Sequence, residues 1–132
     1  MIGSYCHIDG PHDDETITDA ATSVAELVRY LNHATQAPVA ERTLQWAATT
    51  YRIVSNLSTA LHRCDQLFAQ LISGLEKQAR NPRLYDDRRD RPGALTANEA
   101  ADELQSLRPM LGQVTSALDR ARVLTVHLGN DA

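Results

Sequence analysis

The chain is poor in the residues that announce chemistry. Only 5% of its 132 residues are aromatic, and it has two cysteines, six glycines and one tryptophan. Two cysteines are too few for a disulfide framework. Cys6 lies in a polar segment and Cys64 in an apolar helical pattern, so two reduced thiols are expected. No apolar run approaches the ~20 residues that cross a bilayer. The first fifteen residues, MIGSYCHIDGPHDDE, lack a basic stretch followed by an apolar one, so no secretory signal is expected there. A cytoplasmic protein without a membrane partner is the expectation. The glycines are scattered and none sits in a phosphate-cradling loop, and no serine stands in a GxSxG context.

Basic charge is scarce too. Thirteen Lys and Arg face seventeen Asp and Glu, for a net charge of −4. No global positive field draws the chain to nucleic acid. Twelve of the thirteen cations are arginine, Lys77 being the exception.

What is present is helical periodicity. Residues 1–13 read as a tail, with Gly3, Gly10 and Pro11 and no usable period. Asp13, Asp14 and Glu15 then put negative charge where a helix N-terminus favours it. Ile17, Ala21, Val24, Val28 and Leu31 follow at spacings of four and three, which predicts a helix over about 14–35. Pro38 separates it from a second, long helix over about 38–80. There Trp46, Ile53, Val54, Leu57, Leu61, Cys64, Leu67, Phe68, Leu71, Ile72 and Leu75 fall within an arc of about 140°. Residues 80–95, RNPRLYDDRRDRPGAL, form a connection. A third helix is expected over about 97–128, opened by a Thr96–Glu99 capping box. Its seam runs Ala100, Leu104, Leu107, Leu111, Val114, Leu118, Ala121, Thr125, Leu128. Pro109 should kink or break this helix across 105–109.

Together these give an all-α fold over residues 14–132: an elongated hairpin of two long helices plus a shorter N-terminal one. Met110, Ala117 and Leu124, spaced by seven, add a second apolar stripe beside the seam. Two stripes call for two neighbours, and one chain struggles to supply both along rods of this length. Self-association into a bundle of at least four helices is therefore expected, with a homodimer favoured. Leu57, Leu61, Phe68, Ile72, Met110 and Leu124 are the candidate association residues.

Candidates for chemistry are few. Glu99 and Asp102 form an ExxD step on one helical face. All-helical nucleoside-triphosphate pyrophosphohydrolases hold Mg²⁺ with such a step plus an ExxE step on a preceding helix, and the second helix here has no ExxE. A metal site at Glu99 and Asp102 thus lacks half its ligands. Cys6, His7, His12, Asp9 and Asp13 crowd the tail without a recurrent ligand spacing. No cofactor is expected. The connection has more to offer: Arg80, Arg83, Arg88, Arg89 and Arg91 could grip carboxylates or phosphates, with Tyr85 as a stacking surface. The balance of these readings is a small non-enzymatic helical interaction module, an adaptor, accessory subunit or regulator, acting on a protein partner. A nucleic-acid-associated regulator using the loop arginines is the alternative, followed by the Mg²⁺-dependent nucleotide hydrolase.

Overall fold

A computed structural model describes residues 8–131; Cys6 and His7 of the tail cluster lie outside them. Four helices follow in order: α1 (Asp14–Ala34), α2 (Ala40–Thr43), α3 (Ala47–Ala79) and α4 (Gly93–Thr125). The fold is all-α. Among the described residues the only extended pairing is an isolated antiparallel bridge between Tyr85 and Pro92. None of these helices is long and apolar enough to cross a membrane. The chain divides into two compact units at Trp46/Ala47.

In the first unit the acidic start of α1 makes a full reciprocal cap. The Asp13 carboxylate accepts from the Thr16 N–H at 2.8 Å, and the Thr16 hydroxyl accepts from the Asp13 N–H at 3.0 Å. Two of the first-turn donors a helix leaves orphaned are thereby satisfied. At the other end the Thr43 hydroxyl donates to the Ala34 carbonyl at 2.5 Å, tying the single turn of α2 to the last turn of α1. No residue of α1 is buried, and Ile17, Val24 and Val28 of its apolar stripe are exposed.

The second unit is a hairpin of two 33-residue helices, each about 50 Å long. Its pairings show the antiparallel sense. Ala47 meets Asn130, Ser58 meets Asp119 and Asp65 meets Arg108, so partners converge in sequence toward the connection. The buried positions along the contact are mostly small: Ser58 on α3, and Gly93, Ala97, Ala101 and Thr115 on α4, with Leu111 the one large side chain. Small residues let two helix axes approach closely, since axial distance is set by the side chains at the contact.

Three features depart from the periodicity reading. The helix expected over 38–80 is interrupted at residues 44–46, which separate α2 from α3 and leave Trp46 exposed. The side chain of Asn130 accepts from the Ala47 N–H at 2.8 Å, capping α3 there from the far end of the chain. The last helix begins at Gly93, not 97, and has no Thr96–Glu99 capping box. Thr96 and Glu99 are instead drawn to Asp86 and Arg91. Gly93 permits the early start, because a Cβ there would lie 2.8 Å from the Leu84 carbonyl. Finally, α4 runs through Pro109 without a break and ends at Thr125.

Candidate interaction surface

The position of each helix in the pair determines what it leaves uncovered. At about 100° per residue, the contact line of α3 centres near Ser58, Leu61 and Ile72, about 75° from the middle of its apolar arc. On α4 the contact line through Ala97, Leu111 and Thr115 is likewise rotated by about 70° from the middle of the seam. In an antiparallel pair these two rotations are mirror-related, so both apolar stripes turn toward the same side of the hairpin. One face is therefore apolar. Leu57 and Leu71 of α3 and Met110 and Val114 of α4 lie on it, each between 38% and 59% exposed. Half-buried Cys64, a free thiol, sits among them.

The opposite rim is polar and holds the register. The Asp119 carboxylate accepts from the Ser58 hydroxyl through one oxygen and meets His62 Nε2 at 2.8 Å through the other. The Ser58 hydrogen bond first, and the His62 pairing second, lower the Asp119 pKa from its ordinary value. Further along, Arg108 grips Asp65 bidentately at 2.9 and 3.1 Å, and this holds the Asp65 carboxyl below the usual range. An open groove of about 370 Å³ overlies the Ser58–Asp119–His62 cluster, with Arg63 and Arg122 along it. The order of these groups matters chemically: the carboxylate stands between serine and histidine. In a nucleophilic triad the imidazole must contact the hydroxyl to take its proton. Here the histidine and the serine both use their bond on the aspartate, so the cluster is a clamp between helices.

The connection is equally built. Asp86, its side chain only 3% exposed, accepts from the Arg88 N–H at 2.9 Å, from Arg88 Nε and Nη2 at 2.9 and 2.5 Å, and from the Thr96 hydroxyl at 2.5 Å. Four donors converging on one carboxylate push its pKa well below the ordinary range, the Arg88 side chain contributing most. The Asp86 carbonyl closes a turn by accepting from the Arg89 N–H at 3.0 Å, and Arg89 adopts a positive φ of 62°. Its guanidinium lies 3.9 Å from the centroid of the Tyr85 ring, in cation–π contact. Arg91 reaches Glu99 at 2.5 Å, and the guanidinium lowers the Glu99 pKa.

Of the arginines singled out from the sequence, Arg88 and Arg91 thus serve the loop itself and Arg89 stacks on Tyr85. Arg80 and Arg83 are exposed. The candidate association residues separate as well. Leu57 and Met110 lie on the uncovered face, whereas Leu61, Phe68 and Ile72 are half-buried toward α4. Leu124, 70% exposed, points to the outer flank of α4. Glu99 is engaged with Arg91 while Asp102 is exposed, and among the described residues no three His, Cys, Asp or Glu side chains converge as metal ligands.

No partner for His62 is legible in the sequence, and nothing there singles out Asp119. A signal existed: Ser58, His62 and Asp65 follow at spacings of four and three along one edge of the apolar arc, as Arg108, Asp119 and Arg122 do on α4 with a longer gap. Pairing the two edges required the register of the hairpin. The chain matches no protein-family model, and no curated protein and no solved structure matches it either.

Proposed function

We propose that this protein is a non-enzymatic helical interaction module, an adaptor, accessory subunit or regulator, that docks its partner on the apolar face of the α3–α4 hairpin. One observation carries this reading: the apolar stripes of both helices turn to the same side and stay uncovered there, at Leu57, Leu71, Met110 and Val114. Uncovered apolar area of this extent is characteristic of protein-binding surfaces. Supporting it, the polar groups that could suggest catalysis are consumed in holding the hairpin together. Arg88 and Arg91 are likewise committed within the connection, which leaves the hairpin face better fitted to a partner than the loop. The free Cys64 thiol fits a reducing compartment such as the cytoplasm.

The test is site-specific photo-cross-linking in the native cell. A photoreactive side chain at Val114 or Leu71 should give discrete protein adducts. The same probe at Ser116 or Ser73, which point away from the face, should give none. Adducts distributed equally over the four positions, or absent from all, would refute the docking role.

A further inference from the structure

We infer that the occupant of the apolar face is a second copy of this chain, closing a four-helix bundle from two identical α3–α4 hairpins; this rests on the docking role just proposed. Three observations favour a copy. The first is length. The face runs along two helices of 33 residues each, so a matching cover must supply helical surface about 50 Å long. An identical hairpin has that length by construction.

The second is width. On α3 the uncovered arc runs from Leu57 through Cys64 to Leu71, and on α4 from Leu107 through Val114 to Met110. One helix laid in the valley between α3 and α4 would cover the inner edge of each arc and leave the outer edges wet. Two helices side by side cover both, which is the geometry of a four-helix bundle.

Area is the third. Leu57, Leu67, Leu71, Leu107, Met110 and Val114, with the half-buried Cys64 and Leu118 beneath them, offer on the order of 600 Å² of apolar surface. With polar margins included, that approaches the ~800 Å² each partner contributes to a stable dimer. A two-fold axis lying in the plane of the interface and crossing the helices at mid-length makes the patch self-complementary, as an isologous interface must be. Cys64, midway between Ile53 and Leu75 on α3, then lies near that axis.

Sedimentation equilibrium of the full chain across about 1–100 μM tests this. The expected result is twice the 14.6 kDa chain mass at the upper end. Leu71→Glu with Val114→Glu should return it to a single-chain mass with helical circular dichroism intact, because the assembly would have to bury four unpaired carboxylates. The dissociation constant should rise at least about a hundredfold. Should that double variant misfold, the Cys6→Ser protein supplies an independent measure. Alkylation of Cys64 should slow as protein concentration rises through the dimerisation range. A single-chain mass at every concentration, or an oligomer indifferent to the face substitutions, overturns the inference. The cross-linking experiment separates the two failures. A monomer that still yields heterologous adducts at Val114 loses the second copy and keeps the docking role, whereas a monomer with no adducts loses both.

Discussion

Asp86 is where one side chain does most to organise its surroundings. Its carboxylate joins Arg88 to Thr96 and so fastens the connection onto the first turns of α4. The folded-state pKa is depressed from the ordinary 3.8, so the ionised form contributes stability that is fully present above that value. As pH falls below about 4, toward the depressed folded value, that contribution is progressively lost. Thermal melts from pH 7 down to pH 2 should therefore show a steeper acid decline for the wild type than for Asp86→Asn. The variant should also melt several degrees lower at pH 7, where the carboxylate would have been charged. Equal acid slopes would show that the network adds nothing to folding. Gly93 is the second such residue. A methyl group there meets the backbone of Leu84 and Tyr85 at 2.8 Å, and backbone cannot rotate away as a side chain does. Gly93→Ala should destabilise the chain by about 1–3 kcal/mol in urea denaturation.

For the helices, each end was harder to foresee than each middle. The α1 start was legible because its cap is local: Asp13 and Thr16 are three residues apart. The α3 start was not, because its cap comes from Asn130. The α4 start was misplaced for the opposite reason. Thr96 and Glu99 have the right spacing for a capping box, but Asp86 and Arg91 outcompete the backbone for them. The Thr96 hydroxyl gains a charge-assisted hydrogen bond on the Asp86 carboxylate, roughly twice as strong as a neutral one, and Glu99 meets the full charge of the Arg91 guanidinium in place of a backbone N–H. Pro109 teaches the limit of intrinsic propensity. It removes one hydrogen bond from α4, yet packing against α3 on either side, at Ala101 and at Leu111, keeps the helix continuous. Because Pro109 itself is exposed, Pro109→Ala should restore that hydrogen bond without disturbing the contact. A gain of about 1–3 kcal/mol is expected, read as a higher urea midpoint with an unchanged slope. No gain would mean that α4 already compensates for the missing donor.

At the scale of the whole molecule, polar and apolar forces divide the labour by side. The rim through Ser58, His62, Asp65, Arg108 and Asp119 fixes register within a chain. The face through Leu57, Leu71, Met110 and Val114 stays uncovered within the chain and is where we propose that a second copy docks. The two should respond oppositely to salt. Sodium sulfate strengthens effective apolar burial and screens exposed ion pairs. Dimer mass at a fixed low micromolar concentration should rise in sulfate, and sedimentation would detect it; dissociation by sulfate would place charge, not apolar area, at the interface.

The sequence by itself determined that the chain is helical and which side of each helix is apolar, because 3.6-residue periodicity is a local property of the pattern. Even the hairpin was legible, since two long amphipathic helices joined by a short polar connection must lie back on each other. Only the tertiary structure decided the rotation of α3 and α4 about their own axes. That rotation depends on which small residues let the backbones close and which distant side chains pair, Ser58 with Asp119 and Asp65 with Arg108 among them. These are contacts between positions far apart in the chain, and no local period encodes them.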